Sequence, residues 1–239
     1  RVVCPWHHAS FNFKNGEMLE PPALDDLPVF DITIEGEDLV VHLPENPYES
    51  AQMPVPKHIR DDQVFLIIGG GAAAITAIQT LRLNGFNGRI VLISKETELP
   101  YDRPMLSKDY MKGESPEEWL QLRSKDFFDK YKIELKLGVT VTNVDTVGHL
   151  VFFEGGGFMK YHKVLIATGS EPVKLGLPGE DLNNIFYLRS HSDANEILDN
   201  FEKGMKVAVI GASFIGMETA DSLNTKGAEV SVDKKKKAP

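Results

Sequence analysis

Cysteine is almost missing from this sequence. Its 239 residues include one, Cys4, so no disulfide can close within the chain, and bridge patterns say nothing about its compartment. Long apolar runs are missing as well. None approaches the ~18 residues that a membrane-spanning helix needs. Positive charge is scarce: 26 Lys and Arg stand against 35 Asp and Glu, a formal net charge of −9. Nucleic acid is therefore not an expected partner, because phosphate binding calls for a basic face. What remains is 42% hydrophobic, enough for one large or two modest domains.

The most informative stretch runs from Val64 to Lys108. Five apolar residues, Val64 to Ile68, lead into Gly69-Gly70-Gly71. Small residues at helical spacing follow from Ala72 to Leu83, and a β-branched run, Arg89 to Ile93, comes after Asn87-Gly88. Strand, glycine turn, helix and strand in this order form the βαβ unit of a dinucleotide site. Gly69 permits the tight turn and Gly71 lets backbone approach a pyrophosphate. Ala74 occupies the third-glycine place, small enough for helix and strand to pack closely. The helix N-terminus then presents unpaired N–H groups to the phosphates. At the end of the second strand, Glu96 is a candidate to accept hydrogen bonds from a ribose diol, with a solvated turn acid as the alternative.

A second unit of this kind spans Lys206 to Val232. Lys206 to Ile210 enters Gly211-Ala212-Ser213-Phe214-Ile215-Gly216, Gly227 ends the helix, and Glu229 to Val232 begins another strand. Gly211, Ser213 and Gly216 make a G-x-S-x-x-G turn in which serine replaces the middle glycine. Between the two units lie short strand candidates at Ile133–Leu135, Val139–Val144, Leu150–Phe153 and Val164–Ile166, with Gly155 to Gly157 as a hairpin tip. Asp126–Tyr131 and Ser192–Phe201 read as helices.

The N-terminal part differs in kind. Cys4-Pro5-Trp6-His7 puts a thiolate and an imidazole within reach of one metal from a tight turn. Alone, the pattern is also compatible with a non-ligating cysteine or with half of a zinc site. Phe11 and Phe13 alternate, and Val29–Ile34 with Leu39–Val41 reads as a β-hairpin around Glu35 to Asp38. Pro44 to Asp62 has four prolines and no periodicity, which marks a linker.

Taken with the text around it, CPWHHASFNFKNG resembles the second cluster-binding loop of a Rieske iron–sulfur domain. That resemblance implies Cys4 and His7 as two of four ligands of a [2Fe–2S] cluster, the other pair lying upstream of Arg1. His8 stands where that family usually has glycine. The run LPYDRPMLSK, Leu99 to Lys108, resembles the flavoproteins of the apoptosis-inducing factor and oxygenase-coupled ferredoxin reductase families, and the Rieske text points to the Rieske-bearing branch. The resemblance implies FAD on the first βαβ unit and NAD(P)H on the second. It assigns Arg103 to the pyrophosphate, Lys108 to the vicinity of the flavin ring, Ala167-Thr168-Gly169 to the second flavin signature, and Glu218 to the nicotinamide–flavin contact. Met105 to Gly113 carries no cysteine pair, so thiol–disulfide chemistry at the flavin is excluded.

The expected fold is α/β, with Rossmann-like FAD and NAD(P) domains preceded by part of an all-β Rieske domain. The expected boundaries are 1–45 for the Rieske part, 46–62 for the linker and 63–175 for the FAD half-domain. A connector follows at 176–204, and 205–239 begins the NAD(P) domain. Arg1 and the Lys234–Lys237 tail suggest a chain cut at both ends. The expected activity is oxidation of NAD(P)H through FAD, with electrons passed to an iron–sulfur centre or an acceptor protein. The alternatives are a reductase component feeding another subunit, or a slow-turnover redox signalling or apoptosis-linked interaction protein. The expected compartment is the mitochondrion or the cytoplasm.

Overall fold

The computed structural model describes residues 1–5, 7–44 and 53–233. Residues 46–52 of the expected linker and the Lys234–Lys237 tail lie outside the described residues. The N-terminal strands are β1 (Val2–Val3), β2 (Ser10–Phe11) and β3 (Met18–Glu20), followed by the hairpin β4 (Asp31–Glu35) and β5 (Asp38–His42). Next come β6 (Arg60–Ile68), α1 (Ala72–Leu83), β7 (Gly88–Ile93), α2 (Asp109–Lys112), α3 (Lys125–Lys130) and β8 (Ile133–Lys136). The chain continues with β9 (Val141–Asp145), β10 (Leu150–Phe153), β11 (Phe158–Lys160) and β12 (Lys163–Ile166). It ends in α4 (His191–Asp199), β13 (Lys206–Ile210), α5 (Phe214–Thr225) and β14 (Glu229–Asp233).

The scaffold is a four-stranded parallel sheet in the order β12-β6-β7-β8. Its central strands, β6 over residues 64–68 and β7 over residues 90–93, read as continuous apolar runs because both their faces are covered. On one face Ile67, Ile90 and Leu92 pack with Ala74, Ile75 and Ile78 of α1 and Phe128 of α3. On the other, Leu66, Ile68, Val91 and Ile93 meet Val151 of the antiparallel sheet β11-β10-β9. Alternate side chains of β6 and β7 thus serve two different cores. A third cluster, with Leu106, Met111, Ala194 and Leu223, joins the loop after β7 to α4 and α5. The pair β13–β14 is also parallel, with α5 between them.

Arg82 locks the C-terminal end of α1 from inside. Its side chain is 1% exposed and donates to the carbonyls of Tyr131 at 2.9 Å, Phe86 at 2.5 Å, Gly88 at 3.1 Å and Lys132 at 3.0 Å. One guanidinium therefore holds the turn into β7 and the turn into β8 together. Burial lowers its pKa to about 10.

The hairpin around Gly36 forms as expected, with Asp31 opposite His42 and Glu35 opposite Asp38. The alternation of Phe11 and Phe13 does not continue as a strand. Asn12 accepts from Gly16 N at 2.8 Å and, through its side chain, from Lys14 N at 3.0 Å, so the chain turns and leaves Phe13 exposed. The linker reading also extends too far. Met53 is buried in the α1 face of the core, and β6 starts at Arg60. Arg60 N donates to Asn87 O at 2.9 Å, so backbone pairing beside β7 recruits residues whose polarity had suggested a loop.

Candidate dinucleotide site

Three loops meet at the C-terminal ends of β6, β7 and β12, the usual place for a ligand in an open parallel sheet. They border a cavity of about 1410 Å³. The turn after β6 is packed against the one after β12. Gly69 has φ +120, and a Cβ added there would lie 2.2 Å from Ala167 O, so no other residue fits. Gly71 differs, because nothing lies within 4 Å of a Cβ built on it, and its backbone faces the open cavity. Gly71 is also the N-cap of α1, and no side chain caps that end. The first-turn amides are thus available to an anion, as a pyrophosphate cradle requires. Ala74 is fully buried behind them, as the third-glycine place demands. Thr168 and Gly169 line the far side. Gly169 has φ +71, and its space is limited by Arg189 Nη2 at 3.0 Å from a built Cβ. These features fit an extended dinucleotide such as FAD.

Glu96 faces the cavity within a tight polar network. The Tyr101 hydroxyl donates to Glu96 Oε2 at 2.5 Å, and Arg103 Nη2 donates to Glu96 Oε1. Arg103 Nη1 donates to the Tyr101 hydroxyl at 2.7 Å and to Arg189 O at 3.1 Å. The Tyr101 oxygen also accepts from His191 N at 2.9 Å. Burial, reinforced by the hydrogen bond to Glu96, pushes the Tyr101 phenol well above its ordinary range. Burial is the largest influence on Arg103 and works against its charge, but its hydrogen bonds to Glu96 and Tyr101 and its attraction to both together outweigh it and raise that pKa. Arg103, expected at the pyrophosphate, lines the cavity while its guanidinium is engaged with Glu96, the acid expected at the ribose.

Lys108 and Glu218 come together from different βαβ units. Lys108 Nζ lies 3.6 Å from Glu218 Oε1, and Ser107 Oγ donates to Glu218 Oε2 at 2.7 Å. Fully buried Ser222 donates to Ser107 O at 2.7 Å, pinning α5 to the loop that carries Lys108. Lys108 lines the cavity beside Asp102, whose carboxyl burial raises; Lys108 and His7 partly offset that rise.

Gly211, Ser213 and Gly216 form the second glycine turn away from this cavity. Gly211 has φ +120 and open space around it, and Ser213 is the N-cap of α5 without closing that end through its side chain. A Cβ on Gly216 would stand 1.9 Å from Gly211 O, so the helix sits directly on its own turn.

Cys4 and His7 also line the cavity. Their turn is closed by His8 N to Cys4 O at 3.0 Å and Cys4 N to Ala9 O at 2.8 Å. His8 has φ +64, the region that favours glycine, at the position where the resemblance had led us to expect one. Among the described residues no group of three or more His, Cys, Asp or Glu side chains is placed to hold a metal. Two donors do not complete a [2Fe–2S] site, so no step is derived through one. No described helix is long and apolar enough to cross a membrane.

Tyr101, Ser107, Arg189 and His191 escape a reading of the sequence. Tyr101 and Ser107 sit inside the LPYDRPMLSK run that flags the loop. Arg189 and His191 carry no local signal.

Residues 64–237 match the family model described as pyridine nucleotide-disulphide oxidoreductase. The chain belongs to that family. The dithiol in the family's name has no counterpart here, since the one cysteine is Cys4. Among curated relatives, Apoptosis-inducing factor 3 of Mus musculus is 37% identical across 100% of the chain, which spans 40% of that protein. The ferredoxin–NAD(+) reductase component of a 3-phenylpropionate/cinnamic acid dioxygenase, from Photorhabdus laumondii, is 37% identical over 72% of the chain and 43% of its own length. In solved structures, the putidaredoxin reductase–putidaredoxin complex matches with a TM-score of 0.68 and 30% identity, covering 72% of this chain and 42% of that one. The expected apoptosis-inducing factor-like character and the Rossmann-like fold are both borne out.

Proposed function

We propose that this chain carries the FAD-binding half and the start of the nucleotide half of an NAD(P)H oxidoreductase, and that the whole protein passes electrons onward to an iron–sulfur centre or an acceptor protein. The observation that carries this reading is the Lys108–Glu218 pair, which joins the second βαβ unit to the first beside the glycine-turn cavity. When bound, FAD supplies a ring that accepts hydride and releases electrons singly. The residues supply position and charge. The α1 amides at Gly71 hold the pyrophosphate, and the Glu96–Tyr101–Arg103 network orients the acid offered to the ribose. Lys108 keeps a cation beside the ring, favouring negative charge there, and Glu218 and Ser107 hold that cation in place.

A protein acceptor is supported by the solved relative, which is a reductase bound to putidaredoxin. The iron–sulfur reading is supported by Cys4 and His7 lining the same cavity. Anaerobic titration of the full-length protein with NADH tests the first part: flavin absorbance should be present and should bleach stoichiometrically. A full-length protein without flavin, or with flavin indifferent to NADH and NADPH, defeats it. Cys4→Ala in the same protein should abolish the iron–sulfur absorbance and leave the flavin bands. If the iron–sulfur absorbance persists, Cys4 is not a ligand.

A further inference from the structure

The four residues Leu24 to Leu27 bind in two directions. Leu24 packs into the core cluster that contains Ile75 and Ile78 of α1, and its carbonyl accepts from Gln79 Nε2 at 3.2 Å. Asp25 Oδ1 accepts from Gln79 Nε2 at 3.3 Å and from Arg123 Nη2 at 2.6 Å. Asp26 and Leu27 face the other way. Asp26 Oδ1 accepts from Met18 N at 2.7 Å, and Leu27 N donates to Gly16 O at 2.8 Å. That last contact is close enough that a Cβ on Gly16 would fall 2.1 Å from Leu27 O. The segment is therefore riveted to the N-terminal sheet on one side and to the α/β unit on the other.

The Asp25 contact is not a loose surface pair. The Arg123 side chain is 15% exposed and that of Asp25 34%, and the guanidinium also lies 5.3 Å above the Phe127 ring. Gln79 is 7% exposed, and among the described residues its Oε1 has no partner. Turning that amide over would set its oxygen against Leu24 O and Asp25 Oδ1, so the two acceptors dictate the orientation despite the cost. Pro22, Leu24 and Leu27 line the same cavity as Gly71, and so do Val2, Cys4 and His7.

We propose that Asp25 is a positioning residue that clamps the N-terminal sheet against α1 and Arg123, making that sheet a wall of the dinucleotide site. The inference rests on reading the cavity as a dinucleotide site. The wall shields the bound dinucleotide from solvent and fixes the Cys4–His7 turn at the cavity.

The test uses full-length protein with Asp25→Ala, the milder Asp25→Asn, and the charge swap Asp25→Arg with Arg123→Asp. Amide exchange of residues 16–27 is measured without cofactor, and quenching of flavin fluorescence by iodide is measured with it. A charge-assisted pair with some solvent exposure predicts roughly three- to tenfold faster exchange in Asp25→Ala. Quenching should rise about two- to fivefold, and the swap should restore both to near wild type. Unchanged exchange, or faster exchange with unchanged quenching, overturns the proposal. If Asp25→Ala does not fold, Asp25→Asn must show the same two effects at smaller size. Wild-type protein that binds no flavin overturns the reading of the cavity, and the exchange arm still decides whether the clamp exists.

Discussion

Lys108 Nζ and Glu218 Oε1 stand 3.6 Å apart although each belongs to a different nucleotide-binding unit. Ser107 and Ser222 hold the loop and the helix at that spacing. A half-exposed pair of this kind contributes little to stability. Its effect belongs to the charge presented to the cavity.

Lys108→Ala should therefore fold normally and retain FAD, yet slow flavin reduction by NADH about 10- to 100-fold, because one positioned cation is removed from a developing anion. Glu218→Gln keeps Lys108 in place through a neutral acceptor and should lose less. Stopped-flow absorbance of full-length protein measures both. Equal losses in FAD affinity and reduction rate for Lys108→Ala would show that the lysine only binds.

Arg103→Ala should act on binding. It removes donors from Glu96, Tyr101 and Arg189 O and leaves a largely buried carboxylate held only by a phenol. Losing a charge-assisted contact worth roughly 1.5–3 kcal/mol corresponds to a one- to two-decade fall in FAD affinity. Tyr101→Phe should lose less affinity but also free His191 N at the start of α4. Dialysis followed by flavin absorbance measures the retention. Full retention in Arg103→Ala would remove that residue from the site.

Asp102 gives the pH dependence. Burial raises its carboxyl pKa, so the folded state holds the proton to a higher pH than the unfolded chain does. The sign follows from linkage. Stability is fully present below the unfolded value of about 3.9 and falls as pH climbs through the raised folded value. Asp102→Asn cannot ionise. Thermal melts from pH 3 to 7 should show variant and wild type closest at the acid end, with the variant gaining as pH rises. A constant difference across that range would mean Asp102 titrates as it does in the unfolded chain.

The βαβ unit was legible because five apolar residues run into three glycines, and both features are local. The 1.9 Å limit at Gly216 shows why the second turn was legible too: only glycine lets α5 sit on Gly211 O. The site's polar wiring was not legible. Tyr101 reaches His191 N across 90 residues of sequence and Ser107 reaches Glu218 across 111, and neither pairing leaves a spacing to read. The start of β6 was missed for a related reason. Arg60 N donates to Asn87 O at 2.9 Å, so a partner next to β7 extends that strand back to Arg60 despite its own polarity. Clusters of proline, by contrast, do not report whether a later residue such as Met53 will be buried.

Arg82 tests how much of the fold depends on one cation that has no carboxylate partner among the described residues. Its four carbonyl acceptors belong to the turn after α1 and to the turn before β8, which lie far apart in sequence. Arg82→Met keeps the length and apolar stem but withdraws every donor. Each buried carbonyl left unpaired costs about 1–3 kcal/mol, and partial relaxation makes the sum less than additive. The expected loss is roughly 3–5 kcal/mol, or on the order of 10 °C in Tm for a chain of this size. Arg82→Lys should recover little, because a compact ammonium cannot span acceptors that the planar fork reaches at once. Urea melts of the three proteins measure the difference. A loss below about 1 kcal/mol in Arg82→Met would mean that burial of the guanidinium costs nearly as much as its hydrogen bonds return.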